Sequence, residues 1–420
     1  MKYAICSLLI FFCTNISAQN TVYRTCIFDS NIKTLQAGVV SDNKFNSYLL
    51  ELNNNAVLQI SFDELSHENH FYRYRVLHCN ADWTLSNISE NEYINGFTTD
   101  NITENVLSEV TTVPYTHYKL TVPNSNMQFR ISGNYVLQIY EDNQMDNPVA
   151  QVCFSIVEPK ITITGNVRGN TDTELNRRMQ QLDFHVDLAG YKVRDAHDEL
   201  RVVVRQNNRT DNQVTNIKPT FIAASKLSYI NNRNLIFEGG NEYHRFDISS
   251  VHTASFGVDG YQYNRPYYDV FLTPNIVQRS NVYSFEPDVN GRFVINHQEA
   301  FYDENIEADY LRVHFTLDAK EPFFDGQVYI GGEFNNNLIN ENSHMIYDFQ
   351  QNKYHFSTFL KQGGYNYQYW FVPKGQTRAT AERVDGSFWQ TGNEYTIYVY
   401  HRPWGERYDR LVGVKTITSN

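Results

Sequence analysis

The chain has 420 residues, a net charge of −12, and 30 Tyr and 27 Phe. Its acidic balance excludes a nucleic-acid partner and adhesion to an anionic membrane surface. The aromatic load, with no Ala-rich stretch, favours β structure, and about 400 residues after processing are too many for one core, so two to three domains are expected.

Lys2 precedes an apolar run from Ala4 to Cys13, and Ser17-Ala18 supply small residues before Gln19. Residues 1–18 therefore read as a secretory signal peptide. Phe11 and Phe12 stand where a lipoprotein signal at Cys13 would need small residues. Later apolar runs are strand-sized, so no membrane-spanning helix is expected. Cys26, Cys79 and Cys153 remain, and an oxidising compartment permits a disulfide among them without requiring one.

Residues 19–158 form a first unit. "NAVLQISFDEL", "HFYRYRVLHC", "HYKLTVP", "GNYVLQIYED" and "AQVCFSIV" are strand-length segments between turn residues. Tyr72, Tyr74 and Val76 alternate with Arg73 and Arg75, so this strand covers a core on one face. Gly133 at a turn with Tyr135 at a strand start is the pattern of the tyrosine corner in immunoglobulin-like sandwiches.

Pro159 ends that unit. A middle β unit, 159–305, mixes strands such as "LRVVVRQ" and "YDVFLTP" with Asn-rich loops; "TELNRRMQQL" reads as a short helix or an ordered loop. A third unit, 306–420, holds "DYLRVHFTL", "GQVYIGGEFN", "KYHFSTFL", "YNYQYWFV" and "EYTIYVY", and Gly363-Gly364 is predicted to be a hairpin turn. The expected fold is all-β: multi-domain immunoglobulin-like β-sandwiches in tandem. "VYIGGEFNN" through "GGYNYQYWF" resembles the immunoglobulin-like modules that accompany starch- and glycogen-active enzymes, whose exposed tryptophans bind glucan. Trp370, Trp389 and Trp404 are the residues available for such contact.

"LHCNADWTLSNISENEYINGF", residues 77–97, is where chemistry would be sought. Adjacent strand residues point to opposite faces, so His78 and Cys79 cannot form a nucleophilic dyad. His67 and His70 lack the HExxH context, and His78, Cys79 and Asp82 lack a second ligand set for zinc. No nucleophile elbow, phosphate loop or dinucleotide fingerprint is present. No catalytic residue, cofactor or metal is expected. The stretch reads as a buttressed connection. Asn80 and Asp82 fold back on local amides, and Trp83 covers the end of the sandwich. Tyr93 and Phe97 anchor the returning chain, and Gly96 permits a backbone shape that other residues resist. A rigid projecting loop of this kind is also a partner-binding surface.

"YRYRVLHCNADWTLSNISENEYINGF", "YTHYKLTVPN" and "SGNYVLQIYED" resemble the first domain of the type IX secretion system plug family. The likeness continues through "NLIFEGGNEYHRFD", "PYYDVFLTP", "EADYLRVHFTL" and "YHRPWGERYDRLVGV", over nearly the whole chain. Asn335–Asn337 departs from it, where a Trp after Phe-Asn is common in the family. The resemblance adds Tyr115 and His117 to the candidate structural or partner-binding residues. It implies an exported, periplasmic, non-catalytic protein that occludes the periplasmic opening of a large outer-membrane β-barrel translocon. Two alternatives compete: an exported carbohydrate-binding sandwich protein, and an outer-membrane barrel. The ending "VGVKTITSN", without a terminal aromatic, disfavours the barrel.

Overall fold

The computed structural model describes residues 21–40, 48–66, 68, 70–188, 190–253, 255–277 and 282–419. The predicted signal peptide and His67 lie outside them. The described residues are almost all strand and turn, with 48% strand and 5% helix, and they form three two-sheet β units.

In the N-terminal domain, one sheet runs in the order Cys26–Ile27, Pro148–Val157, Gly133–Glu141, Tyr72–Cys79, Thr99–Asn101, with Leu49–Glu51 joining Pro148–Val157 in parallel. Ile32–Val39, Leu58–Glu64, Thr116–Val122 and Glu104–Leu107 make the facing sheet. Tyr72, Tyr74 and Val76 are buried in the shared core with Ile60, Phe62 and Tyr118, as the alternation predicts. Tyr135 completes its corner by donating a 2.8 Å hydrogen bond to the Ile131 carbonyl, four residues upstream.

The second domain differs from the sequence reading. Its first sheet contains Thr162–Arg168, Met179–Asp187, Lys226–Tyr229 and Phe221–Ala223, with Ile236–Glu238 added to Met179–Asp187. Its second sheet contains Val214–Thr215 and Leu200–Gln206, and then Glu394–His401 and Arg410–Thr418 from the far end of the chain. The third domain, from about His244 to Pro373, is inserted between these parts. Its sheets contain His244–Asp247, Phe293–Ile295, Gly326–Gly331 and Gly363–Pro373 on one side, and Val258–Asn264, Tyr267–Leu272, Tyr310–Asp318, Lys353–Lys361 and Ile346–Asp348 on the other. A boundary at 305 is therefore incorrect. Strands from 244 to 295 belong with the third unit, and "EYTIYVY" belongs with the second, because a strand's sheet is set by long-range pairing that local pattern does not encode.

Gly363-Gly364 is also not a hairpin turn. Lys353–Lys361 and Gly363–Pro373 lie in different sheets, and the chain crosses between them at Gln362. Glycine is required there because a Cβ on Gly363 would sit 2.1 Å from the Val294 carbonyl oxygen. "TELNRRMQQL" is an ordered loop that runs into the strand Met179–Asp187. Among the described residues, eleven turn positions from Asn53 to Asn352 are asparagines with positive φ, the conformation Asn tolerates better than other side-chain-bearing residues.

Candidate functional site

The candidate residues gather in two clusters at opposite ends of the N-terminal domain, and each cluster joins it to another domain. The first is at the end of Tyr72–Cys79. His78 is buried: its Nδ1 lies 2.8 Å from Ser86 Oγ and its Nε2 3.3 Å from the Ser132 carbonyl. Its ring packs among Tyr93, Tyr135 and Tyr408. Burial pushes its pKa down from 6.5 to about 4, with Arg402 adding to the fall and the Ser132 bond opposing it. Cys79 faces the other way, into a cluster with Trp83 and Val136. Burial, with the Asp82 carboxylate nearby, raises its thiol to about 12, which keeps it protonated at neutral pH. Cys26, Cys79 and Cys153 are all free thiols.

In the turn after Cys79, Asp82 accepts a local amide, whereas Asn80 bonds a hydroxyl and a carbonyl instead of the amide expected. Asp82 Oδ1 accepts from the Thr84 amide at 3.1 Å and its hydroxyl at 2.6 Å. The Asn80 side chain donates to Thr84 Oγ1 and to the Leu85 carbonyl. Trp83 is held at φ +63°, a costly conformation for a bulky residue, and is buried with the Arg205 guanidinium 5.6 Å from its ring. Tyr93 is buried and donates to the Val76 carbonyl at 3.3 Å. Gly96, at φ +107°, pairs with Met127, and a Cβ there would lie 2.1 Å from the Asn126 carbonyl oxygen. Phe97 stands apart, exposed.

Sequence reasoning missed what this turn grips. Asp409, fully buried, accepts from the Ala81 amide at 2.9 Å, from Arg402 Nε and Nη2 at 2.8 and 2.9 Å, and from Arg201 at 3.2 Å. Arg402 Nη2 also donates to Asn80 Oδ1 at 2.6 Å, and Tyr400 donates to Asn134. Beneath this polar lock, Ala81 and Val157 pack on Val203, Tyr400 and Leu411. The linker is drawn in too, because the Glu158 and Lys160 amides donate to Leu411 and Val412. The available signal was that "LHCNADW" and "RPWGERYDR" are both dense in residues that terminate strands and bond locally. Nothing in one sequence says that they meet.

The second cluster contains Tyr115 and His117. Asp63, buried at the end of Leu58–Glu64, accepts from Lys361 Nζ at 2.6 Å and Tyr310 Oη at 2.7 Å, and lies 2.6 Å from His117 Nδ1. Lys361 is equally buried, donates to the Asn305 carbonyl, and lies 4.2 Å from the centre of the Tyr115 ring. Tyr115 Oη donates to the Ala308 carbonyl at 2.8 Å, and Asp309 accepts from the Thr112 and Val113 amides. Burial works against the Asp63 charge, but Lys361 and His117 outweigh it and hold the carboxyl below its usual range. Burial lowers Lys361, with Asp63 opposing the fall. These contacts join the first domain to the third.

A third junction closes the ring of domains. Arg209 makes a two-pronged pair with Asp211 at 3.0 and 2.7 Å, reaches the Ala379 carbonyl at 3.1 Å and stacks 4.4 Å from the centre of the Trp370 ring. Trp370 is therefore buried, and Trp389 is half-buried against Gly169. Trp404 is exposed, but it sits on the second domain's hairpin. Among the described residues no group of three or more His, Cys, Asp or Glu is placed to hold a metal ion, and no helix is long and apolar enough to cross a membrane.

The fold and its junctions define a multi-domain β-sandwich body in which every domain touches the other two. Residues 32–158 match the family described as the type 9 secretion system plug protein 1st domain. A hypothetical protein from Parabacteroides merdae, known from its crystal structure, is 40% identical over 95% of this chain and 100% of its own, with a TM-score of 0.92. Through its first domain, residues 32–158, the chain belongs to the type IX secretion system plug family. Dimeric latent PorU from Porphyromonas gingivalis aligns at 10% identity over 92% of this chain and 34% of its own, with a TM-score of 0.14. No curated protein matches.

Proposed function

We propose that this chain is a non-catalytic periplasmic plug, exported by residues 1–18, that binds the periplasmic opening of the outer-membrane barrel translocon of the type IX secretion system and occludes it. The observation that carries this reading is the plug-family match over residues 32–158, the domain that holds both candidate clusters. The junctions support it physically. An occluding body must keep its shape under load, and here each pair of domains shares a charge-assisted hydrogen bond: Ala81 to Asp409, Lys361 to Asp63, and Arg292 to Glu394. The glucan-binding alternative gains nothing from the third domain, where Trp370 is covered by Arg209.

The test is purification of the tagged protein from native membranes in mild detergent, paired with a permeability assay in cells lacking it. A large outer-membrane barrel should co-purify, and the deletion should admit a normally excluded antibiotic. Recovery of no barrel, with an intact permeability barrier in the deletion strain, would overturn the reading.

A further inference from the structure

Two loops from different domains meet beside the Asp63 cluster and leave their apolar side chains uncovered. Val110 is 99% exposed, Phe301 88% and Tyr302 92%. Neither loop is loosely held. The Glu109 amide donates to the Ile306 carbonyl, and Asp309 takes the Thr112 hydroxyl and amide. The carboxylate of Glu307, a buried residue, accepts the amides of Phe301, Tyr302 and Asp303 at 2.7–2.8 Å. Val110 has φ +59°, where a β-branched side chain is strained. A fixed, strained backbone that aims apolar groups at solvent is preorganised for contact, since little ordering remains to oppose binding. The strip continues along the edge strand Glu104–Leu107, all four residues of which are exposed.

The charges around this knuckle indicate what covers it. Glu104, Glu109, Asp303 and Glu304 are all exposed beside it, and Lys119 is 4.0 Å from Glu104. An acid-flanked apolar tip is repelled by anionic lipid headgroups and by a second copy of the same tip. It complements a protein recess that is apolar at its centre and basic at its rim.

We propose that the Val110–Phe301–Tyr302 knuckle is the surface by which this protein docks to the translocon barrel, entering an apolar recess bordered by Lys or Arg. The proposal rests on the plug reading. Its test compares tagged wild type, Phe301→Ser/Tyr302→Ser and Val110→Asn in mild-detergent co-purification, with the barrel quantified by mass spectrometry. Recovery of the barrel should fall at least tenfold for the double variant and at least threefold for Val110→Asn. Asn accepts left-handed backbone more readily than Val, so the melting temperature of Val110→Asn should be unchanged or higher. A merely structural role for Val110 would not separate these two readouts. If wild type and both folded variants recover equal amounts of barrel, the docking surface is wrong while the plug reading stands. A wild type that recovers no barrel removes the plug reading and this proposal with it. Loss confined to self-association in sedimentation, or to binding of anionic phospholipid vesicles, with barrel recovery intact, overturns the proposal in favour of a second copy or a membrane.

Discussion

His78 is held neutral, because burial lowers its pKa from 6.5 to about 4. The unfolded chain takes up a proton near 6.5 and the folded one does not. The stability tied to this group is thus complete above pH 6.5 and lost as pH falls toward 4, by up to about 3 kcal/mol. The His78→Gln variant should lose this dependence. Its stability curve between pH 7 and 4.5 should be flatter than wild type by about 2–3 kcal/mol, measured by denaturant unfolding; parallel curves would contradict the burial account. Trp83 carries packing rather than chemistry. Trp83→Ala should cost about 3–5 kcal/mol, against about 1–2 for Cys79→Ser, and equal melting losses would show that the turn does not depend on the indole. The opposed faces of His78 and Cys79, the Asx turn at Asp82 and the corner at Tyr135 were legible, because each follows from local geometry. That Asn80 receives Arg402 from 322 residues away was not, because local pattern carries no record of a distant partner.

At the scale of elements, the strands were legible and their partners were not. Glu394–His401 alternates like any half-buried strand, and only its pairing with Leu200–Gln206 assigns it to the second domain. The same holds for Lys353–Lys361, whose last residue carries the ammonium that reaches Asp63 across a domain boundary. Removing one member of a buried pair leaves the other charge uncompensated, so Lys361→Met should cost about 3–5 kcal/mol. Asp63→Leu combined with Lys361→Met should recover about 2 kcal/mol relative to additivity, read from a double-mutant cycle of unfolding free energies. Strict additivity would mean that the two groups are independent. The Pro159 linker behaves as part of a strand edge because its neighbours donate to Leu411 and Val412. Limited proteolysis of the native protein should spare 156–161, and early cleavage there would contradict the pairing.

For the whole molecule, an inserted third domain has consequences that three domains in tandem would not. The second domain's sheet is completed by Glu394–His401 and Arg410–Thr418, which follow the third domain in the chain. The closing hairpin then carries Asp409 and Arg402 back onto the first domain. The result is a ring of three buried junctions, which suits a body that must fill an opening without deforming. The central claim is that this body occludes a barrel. It is tested most directly by the ionic conductance of the purified translocon barrel in a planar bilayer, recorded before and after the protein is added to the periplasmic side. The account predicts a stepwise fall in conductance that reverses when the protein is washed out, and a weaker fall with Phe301→Ser/Tyr302→Ser. An open-barrel conductance unchanged at saturating protein would contradict it.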